Sequence, residues 1–275
     1  TFNEHGLYEH DFTVPARWAG QRVFIVFEGV MTDTGAKLNG HSVGPTHQGG
    51  FYRFKYEVTR QIKFVGTNRL EVDVARHSAN ASVNHAERDA DYWLFAGIYR
   101  PVYLEAVPPA FIERVAIDAQ ADGNFTLNTF VDQAPGDAAV EAQIQTLAGD
   151  PVGAPFRAAV KAGTGEVRLH TRIVNPKTWS AETPNLYSVR VRLKRGDEVL
   201  HTYQQRFGFR TIEVRAGDGF YVNGHKVILK GANRHSFWPD SGRCLSEAVH
   251  RLDIETIKDM NGNAGRMSHY PPDAQ

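Results

Sequence analysis

Two short segments of the chain concentrate side chains that carry charge and hydrogen-bond. Arg234, His235 and Ser236 lie within Lys230 to Asp240 (KGANRHSFWPD), and Arg266, Ser268, His269 and Tyr270 lie within Asn263 to Pro271 (NAGRMSHYP). Imidazole, hydroxyl and guanidinium groups donate or accept hydrogen bonds, and imidazole also moves protons near neutral pH. One isolated histidine reads as an ordinary loop residue. Two polar clusters at equivalent ends of neighbouring strands read as one shared site. A third group, His85, Asp89 and Asp91, offers nitrogen and oxygen ligands close together, although a solvated loop is the simpler account. Familiar alternatives are missing from the sequence: no Gly-rich phosphate loop before a helix, no Gly-x-Ser-x-Gly elbow and no His-Glu-x-x-His pair. The single cysteine, Cys244, excludes both an internal disulfide and a four-cysteine zinc site.

The elements that would position these clusters follow from periodicity. Phe220 to Lys230 reads as an Asn-Gly hairpin running into a short apolar strand, with the first cluster just beyond it. Val249, Leu252, Ile257 and Met260 then recur at helical spacing, with Ser246 as N-cap and Asn261-Gly262 as stop. Asn263 to Met267 would be the next strand. Strand, helix and strand make the βαβ unit of a parallel sheet. In a parallel barrel, side chains just past the carboxyl ends of the strands face the active-site mouth.

Upstream of that unit the pattern is β throughout. Val23 to Phe27 is apolar on both faces, Asn39-Gly40 marks a tight hairpin, and Phe51 to Val58 alternates aromatic with polar. Leu70, Val72 and Val74 alternate with charged residues. These spacings predict an antiparallel sandwich over residues 1–107. Val107-Pro108-Pro109 punctuates the chain. Strands are predicted over 111–118, 124–131, 139–146, 165–173, 187–194 and 198–209, the count an immunoglobulin-like sandwich needs in residues 108–213. Residues 214–275 hold the βαβ unit.

Composition narrows the classes. The chain has 275 residues, with 31 Lys+Arg against 31 Asp+Glu, and that zero net charge argues against a nucleic-acid binder. Hydrophobic residues make up 41%, ordinary for a globular chain, and no apolar run approaches the ~18 residues of a membrane span. Thr1 to Gly6 carries no initiator Met, basic segment or apolar signal core, and reads as the interior of a longer chain. Asn80-Ala81-Ser82 and Asn124-Phe125-Thr126 match the glycosylation triplet, which arises readily by chance.

The two strand-end segments resemble the first two barrel strands of family 2 glycoside hydrolases, which include β-galactosidases and β-glucuronidases. Asp91 to Arg100 (DYWLFAGIYR) is similar to the end of that family's sugar-binding sandwich. Trp179 to Tyr187 and Phe207-Gly208-Phe209-Arg210 are similar to its immunoglobulin-like domain. The fold implied is mainly β: a jelly-roll-like sugar-binding sandwich lacking its first strands, an immunoglobulin-like sandwich, then the first βαβ of a truncated TIM barrel. The activity implied is retaining hydrolysis of terminal β-glycosides by two glutamates. Both would lie on later barrel strands beyond Gln275, so no catalytic residue is expected within this chain, which alone should be inactive. Asp240 and Glu247 are the nearest acids to the first strand end, and nothing assigns them that work.

By resemblance, His235 and His269 bind sugar hydroxyls, Arg266 sits near the nucleophile, and Asp91 reaches a terminal sugar hydroxyl. In β-galactosidases that carboxylate also meets a sodium ion, which makes Asp91 a candidate metal ligand. Trp93 is a candidate stacking platform for a sugar face, with core packing as the commoner role. No cofactor is required, and a sodium or magnesium ion is compatible with the family. The implied partner is a carbohydrate, with no nucleic acid and no membrane, and a homo-oligomer is compatible. Bacterial relatives occupy the periplasm or the cytoplasm, which leaves the compartment open. Ser236 stands where β-galactosidases usually carry Glu, and Gly265 replaces an aliphatic residue of the second strand. The alternative is a non-catalytic carbohydrate-binding or assembly module of two β-sandwiches.

Overall fold

The computed structural model describes residues 4–89, 95–161 and 163–273. The chain divides into two compact units, one formed by residues 1–107 and 231–275 and the other by residues 108–230.

The first unit opens with a sandwich of antiparallel strands. One sheet orders His5–Phe12, Asn68–Ala75, Asp33–Leu38 and His41–Ser42; the other orders Phe54–Glu57, Arg22–Phe27 and Val102–Val107. Val23, Ile25 and Phe27 from one sheet meet Leu38, Val72 and Val74 from the other in a buried core. Each such side chain contributes about 1.5–3 kcal/mol by leaving water. Phe24, on the opposite face of its strand, is also buried, with Lys55 Nζ 4.6 Å from the ring centroid. That ammonium makes a cation–π contact with the ring and lies 3.5 Å from Glu105 Oε2. At the Asn39-Gly40 turn both residues have positive φ, 53° and 81°, as a two-residue hairpin of this hand requires.

Three sequence expectations need correction here. Phe51 to Val58 yields a strand only over Phe54–Glu57. A helix, α1 (Ala81–Arg88), stands where only strands were expected. Its N-cap is Asn80, whose side chain accepts from Ser82 N at 3.0 Å, so the Asn-Ala-Ser triplet is a capping signal. The first strand of the parallel pair is Gly231–Arg234, beyond the apolar run Val227 to Lys230. His225–Val227 is already paired with Gly219–Val222, and Ile228 and Leu229 are 73% and 59% exposed.

The second unit is the immunoglobulin-like sandwich. Phe111–Ala119, Asn124–Asp132 and Glu166–Arg172 form one sheet. Phe156–Ala159, Ala138–Thr146, Tyr187–Arg195 and Glu198–Phe207 form the other. The short strand at 156–159 was not anticipated. Alternation along Asn124–Asp132 is strict, with Phe125, Leu127, Thr129 and Val131 buried. Phe125, Tyr187, Phe207 and Phe209 pack ring against ring, Phe125 and Phe207 at 4.9 Å between centroids. A three-stranded meander, Ile212–Arg215, Gly219–Val222 and His225–Val227, completes the unit. Its Asn223-Gly224 turn repeats the paired positive φ of the first hairpin. No helix is long and apolar enough to cross a membrane among the described residues.

Candidate functional site

The site grows from the parallel pair. Gly231–Arg234 and Ala264–Met267 run side by side, Gly231 opposite Ala264 and Arg234 opposite Met267. A Cβ on Gly231 would stand 1.9 Å from Ala264 O, so only glycine allows this approach. The crossover is helix α2 (Glu247–Asp259), which starts at the Ser246 cap and buries Ile257. Such a crossover carries the chain back so that both strands end on the same side.

Beyond those ends the polar residues converge. His235 and His269 lie with ring centroids 5.4 Å apart and planes nearly perpendicular at 84°. Arg266 Nη1 donates to His269 Nδ1 at 3.0 Å and to Asn233 Oδ1 at 3.4 Å. Because guanidinium only donates, His269 Nδ1 is the acceptor and the ring proton sits on Nε2. Tyr270 accepts from Ser236 N at 2.9 Å and its hydroxyl lies 3.5 Å from His235 Nδ1. Ser268 is buried beside them, its Oγ without a hydrogen-bond partner. His269 and Arg266 are exposed, so the cluster opens to solvent.

Beneath this surface runs a chain of charge. Arg234 donates from Nε to Asp253 at 2.8 Å and from Nη2 to His250 Nδ1 at 2.6 Å. His250 Nε2 lies 3.1 Å from Asp273 Oδ2, and Asp273 in turn forms an ion pair with Arg100. Arg100 comes from the sandwich; it also donates to Phe51 O at 3.0 Å and to Pro271 O at 2.6 Å. Aromatic packing reinforces the junction. Tyr270 stacks on Phe51 at 4.7 Å, and Arg243, 3% exposed, lies 4.5 Å from the Tyr270 ring centroid. Glu87 of α1 accepts from Gly50 N at 2.7 Å, and burial pushes its carboxyl above the usual range.

Matches to family models cover nearly the whole sequence. Residues 1–108 match the sugar binding domain of glycosyl hydrolases family 2, residues 110–210 the model named for glycosyl hydrolases family 2 itself, and residues 212–275 the family's TIM barrel domain. The chain belongs to glycosyl hydrolase family 2. It is 33% identical to a β-galactosidase of Thermoanaerobacter pseudethanolicus, over 96% of this chain and 36% of that protein. It is 31% identical to a β-galactosidase large subunit of Leuconostoc lactis, over 98% of this chain and 42% of that one. Among solved structures, a Bacteroides uniformis β-glucuronidase superposes with a TM-score of 0.86 at 25% identity, over 99% of this chain and 34% of its own. The chain thus spans about a third of the length of such relatives.

Of the residues that family resemblance singled out, His235, Arg266 and His269 come together at the two strand ends. Asp91 and Trp93 lie outside the described residues. His85 pairs with Asp89 at 3.1 Å on the exposed face of α1, both well solvated. Among the described residues no three His, Cys, Asp or Glu side chains are arranged to hold a metal ion. Sequence reasoning missed Arg100, Arg243, Asp253 and Asp273. Asp253 had a signal, since it follows His250 by three residues on one helix face. Arg100 closes the DYWLFAGIYR segment but gives no hint of its distant partners.

Proposed function

We propose that this chain carries the sugar-recognising part of a retaining exo-β-glycosidase of the β-galactosidase and β-glucuronidase kind, and does not hydrolyse glycosides by itself. The observation that carries the reading is the convergence of His235, His269 and Arg266 beyond two parallel strands. In the roles that resemblance gives them, His235 and His269 bind hydroxyls of the terminal sugar. The Nε2 proton of His269 makes it a donor to a sugar oxygen. Arg266 holds His269 and supplies positive charge that would keep a neighbouring carboxylate ionised. Asp91 would add a hydroxyl contact from the sandwich.

The inactivity follows from the carboxylates. Retaining hydrolysis needs two carboxyl groups about 5–5.5 Å apart. Asp253 and Asp273, the acids bonded into this junction, are committed to Arg234, His250 and Arg100. Incubation of the pure chain with nitrophenyl β-galactoside and β-glucuronide should release nitrophenol at the buffer rate. Turnover above it, abolished by His269→Ala, would overturn the inactivity. Histidine ring signals in NMR should shift on adding galactose or glucuronate; His235 and His269 signals that ignore every sugar would refute the recognition role.

A further inference from the structure

The outer face of the larger sheet of the immunoglobulin-like unit takes no part in that reading. Val189, Val191 and Leu193 point into the core, so the alternate residues of Tyr187–Arg195 project to the other side. Those residues include Arg190, Arg192 and Lys194. Arg206, on the neighbouring strand Glu198–Phe207, stands opposite Ser188 and so lies one step further along the same face. Residues two apart in a strand are about 7 Å apart, so these four cations form a stripe roughly 20 Å long. On the other flank Arg157 stands opposite Glu141, which is also opposite Arg192.

The charge on this face is one-sided. Glu141 is the acid that opposes these cations, 3.8 Å from Arg192 and 3.7 Å from Lys194. Arg157, Arg190 and Arg206 meet no carboxylate among the described residues. Glu198, at the end of its strand, is taken by Arg195 at 3.1 Å. The whole chain carries no net charge, so positive charge is concentrated here and balanced elsewhere. Thr202 and Gln204 lie exposed beside the stripe, opposite Arg192 and Arg190. No aromatic side chain stands at these outward positions among the described residues.

Charge complementarity calls for a linear partner with repeated negative groups. Guanidinium pairs with a planar carboxylate through two parallel hydrogen bonds, and a threonine hydroxyl or glutamine amide suits the hydroxyls between such groups. Single-stranded nucleic acid would stack its bases on aromatic platforms, which the stripe lacks. We propose that this face docks a carboxylated polysaccharide, its uronate groups meeting Lys194, Arg192, Arg190 and Arg206 in turn. The choice of a polysaccharide among linear polyanions rests on the function proposed above.

The test is titration of the whole chain with polygalacturonate, neutral dextran and oligo(dT), at low and at high salt. Polygalacturonate should bind at low salt and dissociate at high salt, because exposed ion pairs are screened, and dextran should not bind. Arg190→Gln, Arg192→Gln and Arg206→Gln combined should weaken polygalacturonate by about tenfold or more. Arg172→Gln, an exposed arginine of the other sheet, should leave the affinity unchanged. If the triple variant fails to fold, Arg190→Gln and Arg206→Gln singly decide, at about threefold each. No binding at low salt, unchanged affinity in the folded variants, or tighter binding of oligo(dT) than of polygalacturonate would overturn the proposal. Binding abolished by His269→Ala but untouched by the arginine variants would overturn it too, while leaving the strand-end site standing.

Discussion

Replacing Arg100 with alanine would strip the junction between sandwich and strand ends of its central cation. The side chain is 4% exposed and its partner Asp273 11% exposed, so the pair lies in the regime where losing one partner strands the other. Removing one member of a buried ion pair costs about 3–5 kcal/mol, against about 0–1 kcal/mol for a surface pair. The guanidinium also donates to the carbonyls of Phe51 and Pro271. Hydrogen bonds of charged groups are worth roughly 1.5–3 kcal/mol each, but these losses overlap and do not add. A total near 4 kcal/mol is the expectation, which for a unit of this size lowers Tm by on the order of 10 °C. Calorimetry should resolve this as a shift in the transition of the first unit alone, with the immunoglobulin-like unit unmoved. Arg69→Ala is the control, because Arg69 pairs with Glu9 at the surface, where both are more than half exposed. If Arg100→Ala shifts the transition no more than Arg69→Ala does, the buried network does not hold the junction.

Glu87→Gln should change the pH dependence of stability. Burial raises the Glu87 pKa above its ordinary 4.5, so the folded chain holds a proton that the unfolded chain has released. Its contribution is therefore greatest below pH 4.5 and is lost as pH rises through the folded value. Glutamine should flatten that decline and raise Tm near neutral pH; parallel Tm curves for the two proteins would contradict the burial argument. Gly231→Ala should separate the parallel strands at a cost of about 3 kcal/mol, the upper end for overpacking, seen as faster amide exchange at Ala264 to Met267. Gly265→Ala is the counterpart, since its Cβ would meet nothing closer than 3.5 Å, and it should be neutral or stabilise by about 0.4–1 kcal/mol. Equal destabilisation by both would show that close approach is not what Gly231 provides.

Much of this was legible in the sequence because it is local. Both Asn-Gly turns, the Ser246 cap and the alternation along Asn124–Asp132 are written in neighbouring residues. The pairing of His235 with His269 was also accessible, since it needs only a strand, a helix and a second strand. The first barrel strand was misplaced because Val227 to Leu229 looks more like a buried strand than Gly231 to Arg234 does. Close backbone approach, not hydrophobicity, selects the latter. Helix α1 escaped because its eight residues show no sustained apolar stripe; only Asn80 announces it. Arg100 and Pro271 lie 171 positions apart, and polar partners at that range leave no periodic trace.

The discontinuity of the first unit has a consequence for how the chain comes together. Its two parts, residues 1–107 and 231–275, are separated in sequence by the whole second unit. During synthesis the sandwich strands emerge early, yet Phe51, Tyr99 and Arg100 must wait for Tyr270 and Asp273 to arrive. The intervening unit has its own core and need not wait. Because closure entropy grows only with the logarithm of loop length, the delay carries little thermodynamic penalty. The penalty is kinetic: a half-built first unit exposes Phe51 and Tyr99 in the interim, so nascent chains should be most vulnerable to aggregation and to proteases until residues 231–275 have been made.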